Sequence, residues 1–452
     1  MRGVIVLRSI LGLVLVWGLA LPVPASAQET LIEVSGATFR PLPIAVAPPI
    51  AAGDAAAPAE EIHEALSFDL EVSGLFEVIP RKAFLADPRE PLGPEGIVWT
   101  RWSDVAAEAL LKFEVTSGPQ GLSLAYRLYD VATQRQTGSG TLEGRIADAR
   151  RLAHRLADEL VRHFTQEPGA FSTRIAYVRR PAGGAKEIWI ADFDGKNASP
   201  VTQTRGISLL PTWSPSGNEI AYTFFKKSLQ YPHGHPQVWK ANLLTGKTSV
   251  LVSGGDLNTG AAWSPDGTKI AFTMSRDGNP DIYVVNADGS GLRRLTREPS
   301  TEASPCWSPD GKRIAFVSDR HGTPQIFVMD ADGGNVERIT RQGNYNQTPA
   351  WSPRGDEIAF TARDERYAFD LFVVNVETKE IRRLTQDQGN NQHPTWAPNG
   401  RLILFTSDRD GGKALYVGSA DGRVQRRISP RDGAEYTDPA WGPFPIAVEE
   451  KR

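Results

Sequence analysis

The decapeptide Trp263-Ser264-Pro265-Asp266-Gly267-Thr268-Lys269-Ile270-Ala271-Phe272 recurs along the chain. Close copies run Trp307–Phe316 (WSPDGKRIAF) and Trp351–Phe360 (WSPRGDEIAF). Looser ones run Trp213–Tyr222 (WSPSGNEIAY) and Trp396–Phe405 (WAPNGRLILF), and Trp441-Gly442-Pro443 opens a sixth that is not completed. Successive tryptophans lie 50, 44, 44, 45 and 45 residues apart. A repeat of roughly 40–50 residues predicts a β-propeller.

Each copy reads as a blade. Trp-Ser-Pro-Asp-Gly ends one strand and turns: Pro presets φ at the first corner, Asp tolerates the second, and Gly takes φ > 0. Ile-Ala-Phe starts a second strand, apolar at consecutive positions and therefore covered on both faces. A polar turn (Ser275–Gly278, Ser318–Gly322) leads to a third strand, as in Asp281–Asn286 and Gln325–Asp330. Ala-Asp-Gly (Ala287–Gly289, Ala331–Gly333) then predicts a two-residue hairpin. A short basic strand closes the unit at Arg293–Thr296, Glu337–Thr340 and Ile381–Thr385, placing charge on the exposed edge.

Second strands of the Ile-Ala-Phe type begin at Ile175, Ile220, Ile270, Ile314, Ile358 and Ile403, and Trp-bearing first strands end at Trp213, Trp263, Trp307, Trp351, Trp396 and Trp441. Both sets number six but are offset by one blade. A ring satisfies both if the strand Tyr436–Trp441 joins the sheet begun near Arg174, so that one blade is built from both ends of the propeller segment. The expected fold class is an α/β N-terminal domain followed by an all-β six-bladed propeller closed in this way.

Residues 1–27 read as a secretory signal peptide: Arg2 and Arg8, an apolar run Ile10–Leu21, then Pro22, Pro24 and Ala25-Ser26-Ala27. The run is too short for a membrane span. No cysteine follows the expected cleavage site, which argues against a lipid anchor. Residues 28–167 are expected to form the α/β domain, with 28–40 as a mobile leader strand, and 171–445 the propeller. Within the first domain, strands are expected at Pro43–Ala47, Leu75–Ile79, Ala109–Thr116, Leu122–Tyr129 and Gln136–Leu142. Helices are expected at Ala59–Val72, Trp102–Ala107 and Arg150–Phe164, the last with Leu152, Leu156, Leu160 and Phe164 on one stripe. Ala51–Pro58 and Asp87–Gly96 read as loops.

The chain carries 452 residues and a formal charge of −3, a mixed balance without a nucleic-acid footprint. Its single cysteine, Cys306, adjoins Trp307 and reads as a small buried residue. Gly-x-Ser-x-Gly, His-Glu-x-x-His, Gly-x-x-x-x-Gly-Lys and Cys-x-x-Cys are all missing, so no catalytic residue, metal or cofactor is assigned. Asp330–Gly333 resembles the start of a calcium loop but lacks the distal Glu and recurs as a hairpin turn. His233 and His235 fall in a lengthened loop, read as a solvent or contact loop. Ser407-Asp408-Arg409-Asp410 reads as turn-stabilising ion pairs, although a carboxylate pair suited to glycoside hydrolysis remains an alternative.

A propeller without a catalytic signature is expected to bind a partner at its mouth. There the loops entering each first strand meet those between second and third strands. The residues so placed are Leu257, Asn258 and Gly260; Glu302, Ala303 and Ser304; Tyr345, Asn346 and Gln347; Asn391, Gln392 and His393; and Tyr436, Thr437 and Asp438. Amides and Tyr are adaptable contacts for a protein ligand.

The exported leader, the α/β domain and six blades of this type together resemble the TolB family of the Tol–Pal system, over essentially the whole mature chain. Similar blades occur in prolyl oligopeptidase-like and tricorn-like peptidases, but those carry a hydrolase domain that has no counterpart here. Gln28–Ile50, running into Arg40-Pro41-Leu42-Pro43-Ile44-Ala45-Val46, is also similar to the family's start. The resemblance implies a non-enzymatic, monomeric periplasmic adaptor that receives the peptidoglycan-associated lipoprotein Pal at the propeller mouth. It also implies that TolA is engaged through Gln28, Glu29, Thr30, Leu31, Ile32, Glu33 and Val34, with support for outer-membrane integrity and constriction at division. The long 225–238 loop and the 50-residue second interval depart from the family pattern. A periplasmic propeller hydrolase and a sugar- or peptide-binding propeller are the alternatives.

Overall fold

The computed structural model describes residues 39–85, 90–363 and 365–445. The signal at 1–27 and the leader residues Gln28–Val34 lie outside this set.

The turn that ends each first strand forms as its sequence demands. Gly267 donates its N–H to the Ser264 carbonyl at 2.9 Å and sits at φ 71°. Asp266 Oδ1 accepts from Ser264 Oγ (2.6 Å) and from the Thr268 N–H (2.9 Å), and Asp310 does the same for Ser308 and Lys312. The Ala-Asp-Gly turn is one residue longer than expected. Asn286 N–H reaches the Ser290 carbonyl and Gly289 N–H reaches Asn286, closing a three-residue loop with Gly289 at φ 92°. This loop uses its glycine as a bulge and does not need two left-handed residues in succession.

Among the described residues these units form six four-stranded sheets. Blade 1 comprises Ser208–Trp213, Glu219–Lys226, His235–Asn242 and Thr248–Val252. Blade 2 comprises Asn258–Trp263, Lys269–Met274, Asp281–Asn286 and Arg293–Arg294; blade 3 comprises Glu302–Trp307, Arg313–Ser318, Gln325–Asp330 and Glu337–Arg338. Blade 4 comprises Asn346–Trp351, Glu357–Arg363, Phe369–Asn375 and Ile381–Arg383; blade 5 comprises Asn391–Trp396, Leu402–Ser407, Ala414–Ser419 and Gln425–Arg427. Blade 6 takes its first strand, Glu435–Trp441, from the end of the propeller and the other three, Arg174–Arg180, Glu187–Asp192 and Ser199–Pro200, from its start. Trp441 pairs with Ile175, so the ring closes between strands and leaves no open sheet edge at the seam. Tryptophans link neighbouring blades: the indole N–H of Trp213 donates to Ala440, that of Trp307 to Ala262 and that of Trp396 to Ala350.

The N-terminal region is a mixed sheet with helices. Strand β1 (Leu42–Val46) lies between β3 (Phe76–Val78) and β4 (Ala109–Gly118), parallel to both; β2 (Ile50–Ala51) also pairs with β4. Strands β5 (Gly121–Asp130) and β6 (Arg135–Gly144) continue from β4 as an antiparallel meander. Side chains alternate: Ile44, Val46 and Leu111 share one buried cluster with helices α1 (Ala56–Val72) and α3 (Ala149–Thr165), while Ala45, Ala47 and Leu110 join Trp102 in another. Helix α1 starts at Ala56, inside the stretch expected as a loop, because Pro58 falls in its first turn, where a missing N–H costs nothing. Helix α2 is Trp99–Ser103, not Trp102–Ala107; the chain has left the helix by Ala106, at φ 58°.

The two regions share one apolar cluster, in which Leu66, Leu156 and Phe164 join Phe171, Phe193 and Trp441. Polar contacts reinforce the joint: Glu167 accepts from Arg354 (2.5 Å) and Arg401 (2.8 Å), and Asn399 donates to the Pro168 carbonyl (3.1 Å).

Candidate functional site

The first strands of the blades surround a central channel of about 500 Å³. Five share the burial rhythm buried, half, half, buried, half, buried, and the strand of blade 6 repeats it one residue later. The rhythm sorts the expected mouth residues into two groups.

The residue at the first position of the rhythm is buried and bonded inside the protein. Asn258 donates its amide to the Pro236 carbonyl (3.2 Å). Glu302 accepts from Arg320 (3.0 Å), Ser318 (2.8 Å) and Ser300 (2.6 Å). Asn346 donates to Gln325 Oε1 of the preceding blade (2.9 Å), and Asn391 donates to Asp370 Oδ1 (3.0 Å) while accepting from Arg409 (2.8 Å). The Tyr436 hydroxyl donates to Asp432 (2.9 Å) and accepts from Arg179 (3.3 Å). Asn346 and Asn391 therefore bind each blade to the one before it.

Ala303, Gln347, Gln392 and Thr437 occupy the second position and are half-exposed, as are Leu257 and Tyr345 just before the strands. The third position lines the channel: Leu210, Gly260, Ser304, Thr348, His393 and Asp438. All six are left-handed, with φ between 49° and 63°. Five are not glycine, and each such residue costs about 1–2 kcal/mol. The first strand shifts register at each of these points, as at Ala303/Cys306 and Gln392/Thr395. The conformation turns the backbone N–H across the gap between blades, where a second-strand threonine accepts it. Gly260 donates to Thr223 Oγ1 (3.4 Å), Ser304 to Thr273 (3.1 Å) and His393 to Thr361 (3.2 Å). Leu210 and Thr348 belong to this ring but escape a reading of the sequence for amides. Their signal is the proline at the next position, as in Leu210-Pro211 and Thr348-Pro349, because Pro inside a strand marks a bulge.

His393 and Asp438 are the titratable side chains of the ring, with Nδ1 and Oδ1 3.4 Å apart across the gap between blades 5 and 6. Among the described residues, Asp438 is the one carboxylate on the channel wall, and no hydroxyl or thiol is hydrogen-bonded to the His393 ring. Cys306 also lines the channel, and burial pushes its thiol up to about 12, far from a nucleophile's range. Loops at this end hold one another: Asp319 accepts from the Thr301 N–H (2.8 Å), Asp408 from the Asn390 N–H (2.6 Å) and Ser275 Oγ from the Leu257 N–H (3.0 Å). His235 opens the third strand of blade 1 and does not lie in the lengthened loop; its ring is turned inward onto the Gly255 carbonyl (2.5 Å), whereas His233 is exposed in the loop.

The family model described as the TolB beta propeller domain matches residues 161–445, and that of the TolB amino-terminal domain matches residues 30–137. The chain belongs to the TolB family. A Tol-Pal system protein TolB from Anaeromyxobacter dehalogenans (strain 2CP-C) is 47% identical over 287 residues, covering 63% of this chain and 64% of that relative. The TolB of Myxococcus xanthus (strain DK1622) is 48% identical over 211 residues, covering 46% of this chain and 48% of its own. These matches thus span less than two thirds of the relatives' length. The crystal structure of TolB from Acinetobacter baumannii superimposes with a TM-score of 0.77 at 28% identity, over 89% of this chain and 97% of that one. Family membership therefore extends across both the N-terminal region and the ring.

Proposed function

We propose that this TolB-family protein is a non-enzymatic periplasmic adaptor of the Tol–Pal system. It receives the lipoprotein Pal at the propeller mouth and TolA at Gln28–Val34, and so supports outer-membrane integrity and constriction at division. Export would remove residues 1–27, and the division at 167–171 would separate the leader-bearing domain from the propeller. Among the described residues, no helix is long and apolar enough to cross a membrane.

The single observation that carries this reading is the composition of the channel wall. Among the described residues it offers the hydroxyls of Ser304 and Thr348, the His393 imidazole and one carboxylate, Asp438, among prolines and tryptophans, whereas glycoside hydrolysis needs two carboxylates facing one bond. Such a wall suits a polypeptide contact that is shaped and polar. Of the expected set, Leu257, Gly260, Ala303, Ser304, Tyr345, Gln347, Gln392, His393, Thr437 and Asp438 would touch the partner. Asn258, Glu302, Asn346, Asn391 and Tyr436 would hold the blades that present them.

Affinity capture from an envelope extract tests the proposal. The wild-type protein should retain an outer-membrane lipoprotein, and Tyr345→Ala with His393→Ala should lose about tenfold or more of it. Undiminished capture by that double variant would remove the mouth from the account. Deleting residues 28–40 should leave the propeller folded and abolish TolA binding.

A further inference from the structure

The gap between blades 6 and 1 holds a cavity of about 350 Å³ that shares no lining residue with the channel. Its floor is aromatic: Tyr222 and Phe224 come from the second strand of blade 1 and Trp239 from the third. Tyr222 pairs with Trp239 across the strands, and the Phe224 ring meets the indole edge-on at 5.4 Å. The rim is polar, with Gln203 and Thr204 on the segment leaving blade 6 and Thr248 on the outer strand of blade 1.

The other blades set a standard for this floor. Blades 2 to 5 carry Phe272, Phe316, Phe360 and Phe405 where blade 1 carries Tyr222, each paired with an aromatic residue of the third strand. Blade 6 carries Tyr177, whose ring packs on Tyr436 at 5.8 Å. Phenylalanine is therefore enough to fill the position, and the Tyr222 hydroxyl is an addition to the packing. The residue is 1% exposed and lines the cavity, yet among the described residues its hydroxyl has no hydrogen-bond partner. Burial pushes its ionisation up to about 12, and Glu187 adds to the shift, so the group stays neutral. A buried hydroxyl without a partner is costly and calls for an occupant that bonds it. Gln203 and Thr248 also bring unbonded side chains to the rim.

No charged side chain lines the cavity among the described residues. Glu187 behind it is held by Thr202 (2.5 Å), Thr204 (3.1 Å) and the Arg205 N–H (2.6 Å), and Lys226 lies over the indole at 5.6 Å without entering the lining. A phosphate or carboxylate would find no cation there, and an ammonium no anion. A wholly apolar molecule would leave the Tyr222 hydroxyl unpaired. A peptide backbone presents donors and acceptors on separate groups, whereas Tyr222, Gln203 and Thr248 each offer both. A sugar ring matches on both counts: its C–H face packs on aromatic carbon, and its hydroxyls donate and accept around the edge. The volume is at the lower end for small-molecule sites and suits one ring.

We propose that this cavity binds a single neutral pyranose unit, whose hydroxyls bond Tyr222 and the rim groups while its C–H face lies on the aromatic floor.

Titration of the full-length protein with methyl β-D-glucopyranoside and methyl β-D-galactopyranoside tests the site, followed by calorimetry and by ligand-observed saturation-transfer NMR. Cyclohexylmethanol serves as a six-membered ring with a single hydroxyl. At least one glycoside should bind saturably with a Kd of about 1 mM, and cyclohexylmethanol about tenfold more weakly. Tyr222→Phe adopts the residue of blades 2 to 5 and so keeps the fold; it should weaken glycoside binding about tenfold. Thr248→Val, on an exposed edge, should weaken it about threefold. Absence of saturable binding by both glycosides would overturn the proposal and leave the cavity to ordered water. Binding undiminished in Tyr222→Phe would put the sugar elsewhere on the molecule. Cyclohexylmethanol binding as tightly as the glycosides would make the cavity an apolar slot, which equally overturns the proposal.

Discussion

Two histidines, each beside an aspartate, show how differently the domain joint and the channel mouth use the same groups. At the joint, His154 of α3 is 1% exposed; its Nδ1 is 2.7 Å from Asp69 of α1, and its Nε2 is 3.5 Å from Asp194 of the propeller. Arg150 also bonds Asp194, and the His154 ring meets Phe193 edge-on at 5.1 Å. At the mouth, His393 is 30% exposed and lies 3.4 Å from Asp438. The first histidine is hydrogen-bonded to Asp69 through Nδ1 and lies between two carboxylates in a dry setting where an unmatched charge is expensive. The second is 30% exposed and its Nδ1, though shielded from solvent, makes no hydrogen bond, so the pair is loosely held. Rigidity is concentrated where the two regions join, and adaptability where a partner would arrive.

The largest expected effect breaks the joint. His154→Ala leaves Asp69 and Asp194 as buried carboxylates facing each other and should cost about 3–5 kcal/mol in denaturant unfolding. A loss below about 1 kcal/mol would mean that water reaches the joint. Titration sharpens the same point. Burial alone would push the His154 imidazole down, but Asp69 and Asp194 outweigh it and raise it to about 10. Because this folded-state value lies above the ordinary 6.5, the stabilisation is complete below 6.5 and is lost as pH rises through about 10. Burial pushes Asp69 up to about 6, so its ionised form opposes folding above that pH. Burial also opposes ionisation of Asp194, but His154 and Arg150 prevail and hold it at about 2, and its contribution fades only in strong acid. Stability should therefore decline on the alkaline side, and His154→Gln should flatten that decline. An unchanged alkaline slope would assign it to other groups.

The mouth ring supplies a smaller effect. Gly260 is the one glycine among the six left-handed positions, and a Cβ built there meets nothing closer than 3.9 Å. Gly260→Ala therefore isolates backbone strain from crowding and should cost about 1–2 kcal/mol. A neutral result would show that the ring tolerates side chains without strain, and that five neighbours lack glycine for that reason.

Legibility followed the range of the forces involved. The blades could be read because Trp-Ser-Pro-Asp-Gly fixes a local turn and Ile-Ala-Phe fixes burial on both faces, neither of which needs distant residues. Closure could be read from the offset between Ile175 and Trp441. Which polar residues face the channel could not. Asn346 and Gln347 are adjacent and chemically alike, yet one points into the gap between blades and the other is half-exposed, a difference set by strand phase and a bulge. The helix carrying His154 was legible from Leu152, Leu156, Leu160 and Phe164. Its partner Asp69 lies 85 positions away, brought alongside by packing of α1 on α3 alone.

The smallest expected effect closes the comparison from the other side. His393→Ala removes a half-exposed ring whose Nδ1 makes no hydrogen bond, while the backbone N–H of residue 393 can still reach Thr361 Oγ1. The Asp438 side chain is 11% exposed but makes no hydrogen bond to the His393 ring, so no bonded partner is stranded. The change in unfolding free energy should stay within about 0.5 kcal/mol, the range of surface substitutions. Retention of the captured partner should nevertheless fall. A stability loss as large as that of His154→Ala would make His393 a structural residue like its counterpart at the joint. The mouth would then be built to hold itself together, and the distinction between the two histidines would fail.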